Sequence, residues 1–77
     1  MASGLREAIL KIFQEGRECN ISELKRAVMP LVGFCTYDEV NREIQKMKVA
    51  GLVMVARVSH GVTRYRLQPR KENSNDD

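Results

Sequence analysis

The chain has 77 residues, of which 43% are apolar and 30% charged, and a formal net charge of +3. A chain this short forms one domain that buries about 60% of its unfolded surface, leaving little material for an enclosed active site. It has no apolar run of about 18 residues that would span a membrane, and MASGLREAIL carries its charges inside the apolar stretch, unlike a signal peptide.

The expectation is therefore a cytoplasmic or nuclear protein that is not an enzyme. No Ser-His-Asp set can assemble around the single histidine, and there is no glycine-rich phosphate loop. Cys19 and Cys35 stand apart without a CxxC, and with His60 they fall short of the about four ligands of a structural zinc. They read as buried apolar thiols, so neither a metal nor a cofactor is expected. Four aromatic residues and no Trp argue against a platform for stacking single-stranded bases.

Leu5, Ala8, Ile9 and Ile12 recur at the spacing of one helical stripe, which Phe13 widens. The first helix is placed at Leu5 to Glu15, with Ser3 as its N-cap and Gly16 as its stop. A second helix opens at Asn20, where Glu23 completes a capping box, and buries Ile21, Leu24, Ala27 and Val28. Pro30 disfavours helical geometry at Met29, so the helix is expected to end there. Leu31, Val32 and Phe34 then lie in a connection from Pro30 to Cys35 and are expected to roof the core, because an exposed apolar loop is costly in water.

The third helix opens at Thr36, with Glu39 forming a second capping box, and turns Val40, Ile44 and Met47 inward. At about 100° per residue its opposite face presents Asp38, Asn41, Arg42, Gln45, Lys46 and Val49. Gly51 stops it. The remaining sequence alternates with period two around His60-Gly61 and reads as a hairpin. An unbroken register would pair Arg57 with Arg64, Ala56 with Tyr65 and Met54 with Leu67. Met54, Ala56, Val58, Thr63, Tyr65 and Leu67 would then share the core face, with Val55, Arg57, Arg64 and Arg66 on the other. Arg57 opposite Arg64 is repulsive in isolation and calls for an anion nearby. The terminal RKENSNDD has no buried face and is expected to be disordered, which divides the chain into a domain at 1–69 and a tail at 70–77.

Between Val40 and Lys71 stand eight basic residues and a single acid, so the positive charge is concentrated on the third helix, the hairpin and the residues just after it. A polyanion would be read there. Asn20-Ile21-Ser22-Glu23-Leu24, Ala50-Gly51-Leu52-Val53 and Tyr65-Arg66-Leu67 together resemble a winged helix-turn-helix domain over nearly the whole of Leu5 to Leu67. The resemblance implies an α+β fold of three helices followed by a two-stranded β-hairpin wing. The stretch Pro30–Cys35 is longer than the family's turn of about three or four residues.

The resemblance also implies that the third helix enters the major groove of double-stranded DNA. Asn41, Arg42, Gln45 and Lys46 would then meet base edges, while Thr36 and Tyr37 approach phosphate. Arg57, Arg64, Arg66 and the tip residue His60 would touch backbone or minor groove. The function so implied is sequence-specific binding by a small transcriptional repressor or regulator that occupies an operator, as a homodimer on a two-part site. Its location would be cytoplasmic on the nucleoid, or nuclear in a eukaryote. The alternative is a winged helix used as a protein-docking module, with Leu31, Val32, Phe34 and Val49 as contacts.

Overall fold

The computed structural model describes residues 4–69. The expected N-cap Ser3 and the tail 70–77 lie outside the described residues. Helix α1 (Gly4–Gln14) buries Ala8, Ile9, Ile12 and Phe13 along its predicted stripe. Helix α2 (Ile21–Val32) begins with both hydrogen bonds of its capping box: Glu23 N donates to Asn20 Oδ1 at 2.8 Å, and Asn20 N donates to Glu23 Oε1 at 3.0 Å. Helix α3 (Tyr37–Val49) begins the same way, with Thr36 and Glu39 exchanging bonds of 3.1 and 2.9 Å. Each box satisfies two amide donors that a helix start leaves open.

Helix α2 does not stop at Met29. It runs through Pro30 to Val32, and Gly33 N donates to Met29 O at 2.8 Å to close the last turn. Proline removes one donor and crowds the preceding turn, but Arg26 and Pro30 both lie on the exposed side, where water can serve the released carbonyl. Gly33 then adopts φ 88° and ψ −168°, a conformation that is essentially restricted to glycine. The connection to α3 is thereby shortened to Gly33–Thr36, the compact turn of a helix-turn-helix. Leu31, Val32 and Phe34 do not roof the core: Phe34 is 81% exposed and Leu31 51%, because only Cys35 of this segment turns inward.

Strands β1 (Val53–Ser59) and β2 (Val62–Leu67) form the antiparallel hairpin. His60 and Gly61 both have positive φ, 53° and 75°, as a type I′ two-residue turn demands. Near the tip the pairs are those expected: Ser59 with Val62, Val58 with Thr63 and Arg57 with Arg64. A β-bulge at Ala56 then shifts the rest, so that Val55 meets Tyr65, Met54 meets Arg66 and Val53 meets Leu67. The expected core face is corrected accordingly. Val53, at 1% exposure, takes the buried position, Tyr65 remains buried, and Val58 near the tip is 65% exposed.

Cys19, between α1 and α2, pairs with β2 through Cys19 N to Tyr65 O (3.1 Å) and Tyr65 N to Cys19 O (2.9 Å). The chain before α2 thus lies beside β2 as a single added bridge. Both cysteines are buried as free thiols, and burial raises their pKa above the ordinary thiol value. The core they join is made of Ile9, Phe13, Leu24, Val28, Val40, Ile44 and Met47, drawn from all three helices. Arg6 Nε and Glu43 Oε2, 2.8 Å apart, tie α1 to α3 at its edge. This architecture is a winged helix-turn-helix, three helices and a two-stranded wing, of class α+β.

Candidate nucleic-acid interface

Because Val40, Ile44 and Met47 are turned wholly inward, the outer half of α3 is left to Asp38, Asn41, Arg42, Gln45 and Lys46. These residues fall into two neighbouring groups. Asn41 and Gln45 lie toward the wing and are partly buried. Gln45 Nε2 donates to Asn41 Oδ1 at 3.2 Å and to the Tyr65 hydroxyl at 3.3 Å, so the two amides are held in place by the wing. Arg42 and Lys46 are exposed on the other side, beside the turn that carries Phe34. Among the described residues neither has an ion-pair partner.

Tyr37 and Asn41 share a cleft of about 280 Å³ with Ser22 at the start of α2 and with Gly61, Val62 and Thr63 of the wing tip. The hydroxyls of Ser22 and Thr63 were not singled out from sequence, since nothing local to either residue shows that three elements converge there. Thr36 is committed to its cap, so its side-chain oxygen already accepts the Glu39 amide. His60 is exposed at the tip of the hairpin, in the turn.

The wing arginines differ from expectation. Arg57 Nε lies 3.2 Å from Glu18 Oε1, and Arg64 Nη1 lies 2.7 Å from Glu23 Oε1. The repulsion between the paired Arg57 and Arg64 is thus offset by carboxylates from the chain's own 18–23 segment. The sheet face is not purely positive. The cross-strand Arg57–Arg64 pairing correctly demanded an anion, but sequence periodicity does not show that residues 18–23 fold back against β2. Arg66 has no ion-pair partner among the described residues, and it lines a broad cleft at the foot of the hairpin together with Arg17 and Gln68.

Glu23 therefore serves two elements, the α2 cap and the wing. The Asn20 backbone amide holds its carboxyl below the ordinary glutamate range, and Arg64 adds to this against some desolvation. A carboxyl with a lowered folded-state pKa contributes stability that is present above the ordinary glutamate value and is lost as pH falls through the folded value. Glu23→Gln is expected to flatten the pH dependence of Tm across that acidic range. An acid limb identical to that of the original protein would show that Glu23 is not a source of it.

Among the described residues no group of three His, Cys, Asp or Glu side chains could hold a metal ion, and no helix is long and apolar enough to cross a membrane.

The winged helix-turn-helix class is also that of the solved structures this chain resembles. A ferric uptake regulator from Francisella tularensis, solved with iron, superposes with a TM-score of 0.75 at 15% identity over 94% of this chain. The ferric uptake regulator of Vibrio cholerae, whose DNA-binding domains undergo structural rearrangement, gives a TM-score of 0.75 at 21% identity over 91%. This chain spans 56% and 55% of those two proteins, so the likeness is to part of each. At these identities the shared property is the fold. No protein-family model matches the sequence, and no curated protein matches it.

Proposed function

We propose that the chain is a sequence-specific binder of double-stranded DNA, a small transcription regulator that occupies an operator as a homodimer and carries no enzymatic activity. The observation that carries this reading is the outward half of α3. There Asn41, Arg42, Gln45 and Lys46 stand together on a winged helix-turn-helix scaffold, directly beside the wing. DNA-binding domains named for one of the two structural neighbours support the reading further.

In this reading α3 lies in the major groove. Arg42 and Lys46 reach guanine O6 and N7 or the flanking phosphates. The bond from Gln45 Nε2 to Asn41 Oδ1 leaves Gln45 Oε1 as an acceptor and Asn41 Nδ2 as a donor. Adenine offers the complement in the major groove, an N6 donor and an N7 acceptor. The two side chains would thus read one adenine jointly, with Tyr65 fixing their orientation. Asp38, on the same side, repels phosphate and suits a cytosine amino group instead. Tyr37 and the wing tip, with His60, approach the backbone. Arg57 and Arg64 would have to leave Glu18 and Glu23 to meet phosphate, which makes the wing a weaker contributor than its charge count suggests. Arg66 is the wing arginine with no such competitor among the described residues.

Selection of bound sites from random duplex DNA tests the proposal. An enriched motif of two half-sites separated by about 10–10.5 base pairs, or a multiple, is the expected result for a dimer. Absence of any affinity even at low salt would sink it. On the selected site, Asn41→Ala and Gln45→Ala are each expected to relax preference at the same base pair by about 1–3 kcal/mol. Losses at two unrelated positions would separate their roles. The exposure of Phe34, Leu31 and Val49 favours a second reading, a protein-docking module, which predicts no salt-dependent DNA affinity.

A further inference from the structure

The helix-turn-helix carries a groove whose apolar side the DNA reading does not use. Its apolar surface comes from Leu5 at the start of α1, from Leu31 and Val32 in the last turn of α2, and from Phe34 in the turn. It encloses about 560 Å³, and its far wall is the side of α3 that bears Arg42 and Lys46. The groove exists because α2 continues past Pro30, which carries Leu31 and Val32 outward, and because Gly33 redirects the chain so that Phe34 projects.

Its charge is positive on balance. Glu43 and Glu39 also line it; Glu43 is offset by Arg6 at 2.8 Å, whereas Glu39, which accepts the Thr36 amide at 2.9 Å within its cap, keeps its negative charge. Arg42 and Lys46, neither with an ion-pair partner among the described residues, therefore outnumber Glu39, the one lining carboxylate that also lacks a cation partner. Among the described residues no strand edge borders the groove, so an incoming segment would find side chains rather than open backbone groups.

We propose that this groove receives an acidic amphipathic helix from another protein. The apolar side chains of one helical stripe seat against Leu31, Val32 and Phe34, while flanking carboxylates meet Arg42 and Lys46. Since the DNA reading uses the same two cations, the partner and DNA exclude one another. The groove is then the point at which the regulator is released from its site. This regulatory consequence rests on the DNA reading, whereas the binding of the acidic helix does not.

The test is a displayed library of helical peptides of about 15 residues, with one apolar stripe and randomised flanking charge, selected on the full chain without DNA. Acidic flanks are expected to be enriched. A selected peptide, made synthetically and titrated by fluorescence anisotropy, should lose at least tenfold in affinity on Phe34→Ala and again on Arg42→Glu. Circular dichroism should report both variants folded, since both side chains are exposed. Failure to enrich any peptide, enrichment of basic flanks, or equal affinity for Phe34→Ala would each overturn the proposal. So would a Phe34-dependent dimer in sedimentation that binds no peptide, which would assign the groove to a second copy. On a DNA site selected separately, saturating peptide should displace the chain, and Phe34→Ala should keep its DNA affinity while resisting displacement. If no DNA binds, the peptide titration still decides the groove, and only the regulatory role fails.

Discussion

Phe13→Ala is expected to remove about 3–5 kcal/mol of folding stability, the usual cost of emptying a buried aromatic site. The ring is 1% exposed and belongs to the core cluster that joins all three helices with Val53 and Tyr65 of the hairpin. A domain of 77 residues has a total stability of only about 4–12 kcal/mol by the usual per-residue range. The variant should therefore unfold at far lower urea, or be substantially unfolded in its absence. Equilibrium denaturation followed by circular dichroism measures this. A midpoint shift equivalent to less than about 1 kcal/mol would mean that the site collapses around the cavity, and that the core is less closely packed than its burial implies.

The second large effect concerns binding. Replacing Arg42 and Lys46 together with alanine is expected to lower DNA affinity more than replacing any pair of wing arginines. The reason is competition. Arg57 and Arg64 already have carboxylate partners at 3.2 and 2.7 Å, so their loss removes contacts that DNA must first free from Glu18 and Glu23. Arg42 and Lys46 have no such partners among the described residues and meet an incoming anion unencumbered. If both contact phosphate, the slope of log K against log salt should flatten by about 1.8, from about 0.9 per phosphate. If instead they reach base edges, the slope holds and discrimination at their base pairs falls by about 1–3 kcal/mol each. Salt titrations on the selected site and on a scrambled duplex separate these outcomes. If neither slope nor discrimination changes, α3 is not the reading element.

The features of this fold divide into those set by local sequence and those set by distant residues. Both capping boxes, the stripe of α1, the inward residues of α3 and the His60-Gly61 turn are legible because in each the successive residues of the pattern stand no more than four positions apart. The end of α2 departs from the local rule for a related reason. Pro30 is a strong local signal against a helix, yet the proline lies on the exposed side of a helix whose other side is already anchored by Leu24 and Val28, so continuing costs less than the local rule assumes. The unbroken alternation of the hairpin likewise concealed the bulge at Ala56, since a two-residue period carries no mark of an inserted residue.

The chain's own sequence determined the elements, their order, the turn chemistry and the concentration of positive charge on α3 and the wing. Tertiary structure alone decided how much of that charge is available. Glu18 and Glu23 reach Arg57 and Arg64 because the segment after α1 folds back against β2 through the Cys19–Tyr65 bridge. It also decided that Leu31, Val32 and Phe34 stand outside the core and border a groove. Ion pairs and grooves form between side chains far apart in sequence, and their strength depends on distances that only the packed chain sets.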